Sequence, residues 1–338
     1  MKTYQQFILF SFAATVLACG GGGSTITADN MKYASPVLIA GTDTGDVHSV
    51  SSDGFLVGFV TNSSNQGVGV YWASPTAAPT QVPGTLSVNF TNDKHQMLAS
   101  VSSGIPFFYD SPTSTGTQVF LQGASIMNMN DRGEIVTVNV DYSTSTPTYT
   151  GGYFSDENGN WTLLANLPSG APILPYYLDD SGRIAGPQME TTGVVGSGTW
   201  ATSASNVSVV AKPGSNSHWS VTGMNRKTGE LLMVQVYDTN STGALSCGIY
   251  EPSTGTVDSL PGVGAKPTVV SQSGIIGGTS SPSHTTAYVW PNRNSGPIDL
   301  NTLVPAGTSV VFDNVRFVLA NGDVIAHGPG GLYYLKRL

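Results

Sequence analysis

Charge is scarce in this chain. Only 10% of its 338 residues are Asp, Glu, Lys or Arg, against about 25% in an ordinary globular protein. Long surface helices need such side chains for their polar faces, so a helical architecture is disfavoured. Cations are the rarer sign, with 13 Lys and Arg against 21 Asp and Glu and a net charge of −8. Nucleic-acid binding needs clustered Lys and Arg, and the sequence has no such cluster, so no nucleic-acid partner is expected. There are two cysteines, Cys19 and Cys247, too few for a disulfide scaffold and without metal-ligand spacing. No metal and no cofactor are expected. The apolar run Phe7 to Ala18 has 12 residues, short of the roughly 20 needed to cross a bilayer.

That run follows Lys2 and ends at Val16-Leu17-Ala18-Cys19. A positive start, a short apolar stretch and a small residue before the cut describe a signal peptide. The tetrad resembles the bacterial lipoprotein signal, which implies that Cys19 is lipidated and becomes the mature N-terminus. With Gly20 rather than Asp next, the resemblance implies a lipid anchor in the outer membrane, at the periplasmic face or the cell surface. Residues 1–18 are then signal peptide, 19–33 the lipidated Cys and a flexible Gly/Ser tether, and 34–338 a single domain. A tether from Gly20 to Tyr33 has a root-mean-square reach of roughly 20 Å. Cys247 is left as a lone thiol and reads as a small buried hydrophobe.

Glycine (41) and proline (20) are plentiful, the composition of many short strands joined by tight turns. A unit recurs seven times, best formed over Thr268 to Gly307. Its marker is a turn glycine at Gly54, Gly133, Gly182, Gly229, Gly274 and Gly322, with His95 in its place in unit two; successive markers stand 38 to 49 residues apart. Periods near 40 to 50 with several strands each mean propeller or solenoid arrays. The turn needs φ > 0, which Gly adopts freely. His95 should adopt it at a cost of about 1 kcal/mol, making unit two the most irregular.

After each marker comes a β-branched, apolar second strand, for example FLVGFV (55–60), RIAG (183–186) and IIGG (275–278). Third strands carry the aromatics Tyr71-Trp72, Phe108-Tyr109, Tyr153-Phe154, Trp200, Tyr250, Trp290 and Tyr333-Tyr334, large side chains that fill the gaps between wedge-shaped neighbours. Fourth strands end in Pro or Gly. Unit seven stops after its third strand, while Pro36 to Gly41, ahead of unit one, has the pattern of a fourth. Such a split unit suits a closed ring better than an open solenoid. The expected fold is all-β: a seven-bladed β-propeller of four-stranded blades, closed by the N-terminal strand Pro36–Gly41.

The copies at 180–186 and 273–307 resemble the bacterial HAF-repeat family, named for a His-Ala-Phe run that is degenerate here as Thr286-Ala287-Tyr288. The resemblance covers about residues 36 to 338. It implies an exported or envelope protein with a repeated β-fold and carries over no activity.

Nucleophile elbows, paired-His zinc helices, phosphate loops and dinucleotide fingerprints are missing. The Asp156–Asn160 stretch has the oxygen content of a Ca²⁺ loop but reads as a hairpin turn with Asn-Gly at its tip. Counting six residues back from each marker aligns His48, Asn89, Met127, Tyr176, Thr222 or Gly223, Thr268 and Arg316 on the axis-facing first strands. Wet channels tolerate small or polar groups at such positions. The sharper reading is a channel-mouth binding site of His48, Tyr176 and Arg316. The expected function is a monomeric, non-catalytic recognition or scaffold protein for a protein or glycan partner. The alternatives are an extracytoplasmic polysaccharide-acting enzyme or a surface adhesin. Cys19→Ser is expected to move the protein out of the membrane fraction; continued pelleting of that variant would refute the anchor.

Overall fold

The computed structural model describes residues 31–338 except 102–103, 122–124, 142–147, 191–192, 238–245, 263 and 282–283. Cys19 and most of the expected tether lie outside the described residues. Among those described there is no α-helix; the one helical element is a single 3-10 turn, Leu300–Thr302.

Units one to five are five separate four-stranded antiparallel sheets, each paired in chain order from its first to its fourth strand. Unit one, for example, consists of Asp46–Val50, Leu56–Thr61, Gly67–Trp72 and Thr80–Gln81. Units six and seven share one eight-stranded sheet, joined by the single pair Thr279 and Asn314. The strand Val37–Leu38 pairs with Tyr334 and Tyr333 on the third strand of unit seven.

The repeated turn has the same backbone bonds in six units, and in unit five it is one residue longer, Gly229 N–H reaching the Asn225 carbonyl. In unit three, Gly133 N–H donates to the Asn130 carbonyl (3.0 Å), and Asn130 N–H to that of Glu134 (3.1 Å). The Asn130 side-chain oxygen accepts from the backbone of Arg132 and Glu134 (3.0 and 3.1 Å). Asn92 and Asp179 repeat this geometry. Short polar side chains that accept from their own turn explain why Asn, Asp and Ser open it. All six marker glycines have positive φ, and His95 stands at φ 57. His95 is held there by stacking on Phe55 (centroids 4.3 Å apart) and by a contact with the Asp53 carboxylate (3.0 Å). Unit two also carries two register shifts between its first and second strands, as its missing glycine suggests.

Packing runs between units. Trp72, Trp200 and Trp290 are fully buried. Each indole N–H reaches a backbone carbonyl just past a fourth strand of the preceding unit: Ala40 (2.8 Å), Ala165 (3.0 Å) and Pro261 (2.8 Å). A buried indole needs such an acceptor. Each buried cluster is likewise shared by successive units, and one joins Ile325 and Leu332 of unit seven to Ile39, Leu56 and Trp72.

One domain boundary needs correction. The tether was expected to run through Tyr33, yet Met31 and Tyr33 are buried in the core of units six and seven. Tyr33 donates its hydroxyl to Gly322 O (3.3 Å), and its N–H to Leu303 O (3.0 Å). Burial pushes its phenol pKa well above the ordinary range. Met31 and Tyr33 therefore belong to the folded body, because two large side chains there bury apolar area.

Deleting residues 20–41 from the Cys19→Ser protein removes Met31, Tyr33, Ile39 and the strand beside Tyr333–Tyr334. Thermal unfolding should shift down by on the order of 10 °C or more; an unchanged Tm would show that the segment contributes nothing to the fold.

Candidate functional site

Six of the seven first strands contain a β-bulge at the same level. Val47 pairs with Gly58 and Ser49 with Val57, leaving His48 unpaired between them. Asn89, Met127, Thr222, Thr268 and Arg316 are the corresponding extra residues. In unit four the regular strand begins only at Tyr177, just after Tyr176. The positions aligned by counting back from the turn glycine are thus the bulge residues.

The first strands surround an axial cavity of about 310 Å³. His48, Thr268 and Arg316 line it, whereas Tyr176 is not among its lining residues and Tyr177 is. A bulge sets two residues opposite one and disturbs the alternation of side chains. The wall is therefore built chiefly from the residue that follows: Ser49, Phe90, Asn128, Tyr177, Val269 and Phe317. Sequence counting had no access to that shift. Arg316 contacts the Asp46 carboxylate (3.3 Å), and His48 Nδ1 the Ser87 hydroxyl (3.1 Å). Tyr176 and Tyr177 both have pKa values raised by burial, Tyr177 to about 12, so both stay protonated at neutral pH.

One end of the cavity is spanned by a belt of turn residues. Ser52 donates its N–H and hydroxyl to the Asp93 carboxylate (both 2.7 Å). Asp93 N–H donates to Asp131 (2.8 Å), and Asp131 N–H to Asp180 (3.0 Å). Across the axis, Gln272 donates to Asp93 (2.7 Å) and Arg226 to Asp131 (2.6 Å). Lys227 adds contacts to Asp131 and Asp180 (both 3.4 Å). Burial opposes the ionisation of Asp93, but the bonds from Ser52 and Gln272 and the charge of Arg226 outweigh it and hold its pKa below the ordinary value. The sequence reading missed this belt. Its signal was a polar or charged residue two before the turn glycine in most units, as at Asp131 and Asp180.

The other candidates are resolved locally. Asp156 and Asn160 close a hairpin turn in which the Asp156 carboxylate accepts from the Asn158 and Asn160 backbones and the Asn160 amide (2.8 to 2.9 Å). Cys247 is buried and free, its thiol pKa pushed up by burial to about 12. No group of three or more His, Cys, Asp or Glu among the described residues is placed to hold a metal ion.

No protein-family profile matches the chain, and no curated protein matches it. Solved structures do. Oligogalacturonate lyase from Vibrio parahaemolyticus is similar at TM-score 0.61 and 10% identity, over 92% of this chain and 92% of that one. YCF48 bound to D1 peptide is similar at TM-score 0.55 and 11% identity, over 91% of this chain and 94% of that one. The β-propeller domain of the Trilobed protease from Pyrococcus furiosus is similar at TM-score 0.54 and 10% identity, over 87% and 93%. At such identities the likeness shows the fold alone: all-β and of the propeller kind. The similar proteins include both binding proteins and enzymes.

Asp93→Asn removes the charge that the belt is bonded to and should cost about 1–3 kcal/mol. A carboxylate with a lowered folded-state pKa contributes stability above its unfolded value of about 3.9 and loses that contribution as pH falls through the folded value. The Tm gap between the two proteins, followed by circular dichroism, should hold steady from pH 8 to about 5 and shrink below about pH 4. A gap that persists in acid would mean that the carboxylate charge is not its source.

Proposed function

We propose that this chain is a lipid-anchored envelope protein whose seven four-stranded blades close into one ring, and that it recognises a protein or glycan at the axial site. The closing strand is Val37–Leu38, supported by its pairing with Tyr333 and Tyr334, the Trp72 bond to Ala40 and the cluster shared with Ile325 and Leu332. The HAF-like repeats and the signal-like N-terminus support export, with Cys19 as the anchor in the outer membrane.

The observation that carries the recognition reading is the bulge ring. Equivalent backbone positions bear His48, Asn89, Met127, Thr222, Thr268 and Arg316, all different in size or charge except for the two threonines, and His48, Thr268 and Arg316 line the cavity. Positions that only fill space stay large and apolar from unit to unit, as Trp72, Tyr109, Phe154, Trp200, Tyr250 and Trp290 do. A set of unlike side chains on like backbone positions supports recognition of one asymmetric partner. The acids at the cavity's end fit that reading better than they fit catalysis. Asp93 has a lowered pKa and its oxygens are committed to three donors, whereas a general acid at neutral pH needs a raised one. Fold alone favours neither class.

Capture from detergent-solubilised envelope tests this. The intact protein should retain a protein or glycan, and the variant with His48, Tyr176 and Arg316 all changed to Ala should retain at least tenfold less at an unchanged Tm. Equal recovery by the variant, or turnover of a polymer by the purified protein, would overturn the reading.

A further inference from the structure

Resting on that recognition reading, we infer that the axial cavity binds a small monocarboxylate carried on a six-membered ring. Its volume of about 310 Å³ falls at the small end of the roughly 300–1,000 Å³ range of small-molecule sites. The charged side chains that line it are Arg226, Arg316 and Asp93; the acids paired with the two arginines, Asp46, Asp131 and Asp180, are not among the lining residues.

Both guanidiniums have donors to spare. Arg226 directs Nη2 to Asp131 and Asp180 (2.6 and 3.3 Å), but its Nε is buried and has no acceptor among the described residues. A buried N–H without an acceptor is costly, and such groups ordinarily find a partner. Arg316 uses Nη2 on Asp46 (3.3 Å), and a guanidinium carries five donors. The two arginines sit at different levels, Arg226 in the belt and Arg316 in the bulge ring. A carboxylate is the acceptor that guanidinium geometry favours.

A dianion is a poorer fit. Asp93, Asp131 and Asp180 lie against Arg226 and Lys227 at the closed end, so three negative charges there face two positive ones. A second charge on the ligand would meet repulsion there. This argues for a carboxylate over a phosphate monoester.

The body of the ligand is set by the walls. Phe90, Tyr177 and Phe317 of units two, four and seven are among the lining residues, as are Met129, Leu178 and Met224. Flat apolar walls accept an aromatic ring by stacking or the apolar face of a sugar ring. Asn128 donates Nδ2 to Tyr176 O (3.3 Å), which leaves its side-chain oxygen to accept from a ligand hydroxyl.

The test is isothermal titration of the full-length Cys19→Ser protein with four probes: benzoate, glucuronate, benzamide and inorganic phosphate. At least one carboxylate should bind with a dissociation constant of about 1 mM or tighter, in keeping with a ligand of this size. Benzoate against glucuronate tells an aromatic acid from a sugar acid. If benzoate is the binder, benzamide should bind at least tenfold more weakly, and phosphate should trail whichever carboxylate binds. Arg316→Gln should weaken binding at least tenfold without moving Tm, and Arg226→Lys, which keeps the charge but loses the Nε–H edge, should weaken it too. The inference is overturned if neither carboxylate binds, if benzamide matches benzoate, if phosphate binds best, or if both arginine variants bind as the parent does. Should envelope capture still depend on His48, Tyr176 and Arg316 while no carboxylate binds, this inference alone falls and the recognition reading stands.

Discussion

The constraint on which the rest depends is the hydrogen-bonded belt that ties successive first turns together, from unit seven to unit one and on to unit six. Ala320 N–H of unit seven bonds to Ser52 of unit one (3.1 Å), Ser52 to Asp93, Asp93 to Asp131 and Asp131 to Asp180. Asp180 N–H continues to Arg226 O (2.9 Å), and the Asn225 amide to Ser271 O (3.2 Å). Beneath it run the side-chain bonds from Asn92 to Asn130 O and from Asn130 to Asp179 O (3.0 and 2.9 Å). Sheets that share only apolar interfaces could slide, because the hydrophobic effect is non-directional. Directed bonds at the axis set their register. They also bring the charges of units two to five together at one end of the cavity, so the electrostatics of the site are a by-product of assembly.

The bulges follow from the same crowding at the axis. The residue paired just before the bulge is Gly58 in unit one and Gly278 in unit six. A Cβ at either would overlap the carbonyl oxygen of Asp46 or Lys266, and one at Gly186 that of Leu174. In units one, four and six the first and second strands approach too closely there for a side chain, in keeping with FLVG, RIAG and IIGG, whereas Ala99, Thr137, Met233 and Ala326 stand at the matching place in the other units. A glycine inside a strand marks a bulge or a close backbone approach. These glycines were visible in the sequence, and with that reason attached they would have located the close approach in units one, four and six, though not the bulges of the other units.

Much of the fold was legible for this reason. Turn glycines, third-strand aromatics and the split last unit each answer to a local requirement, so composition and spacing reveal them. His95 was legible even as an exception, since a missing glycine has to be paid for by the stacking on Phe55 and the bond to Asp53. The site was less legible. His48 and Arg316 were found because they sit on the aligned bulge position and are long enough to reach the cavity. Tyr176 was chosen on the same count, but the wall belongs to its neighbour Tyr177. One residue decides which way a strand side chain points, and a bulge changes that count without leaving a charge or a motif behind. Tyr33 was assigned to the tether because the Gly/Ser run before it reads as linker, and only its tertiary contacts with units six and seven say otherwise.

What separates structure from function here is whether a polar group is already satisfied. Asp93, Asn130 and Asp179 accept from two or more donors each, and changing them damages the frame before it touches any ligand. Arg316 and His48 each have a single partner at the edge of the cavity, and the Arg226 Nε–H has none among the described residues. Groups of the first kind are held to short polar side chains in most units, because each serves the same backbone turn. Groups of the second kind are free to differ, and in this chain they do. Specificity therefore has to come from the residues that the repeat does not need, and those lie in the ring of bulges rather than in the best-formed copy of the unit.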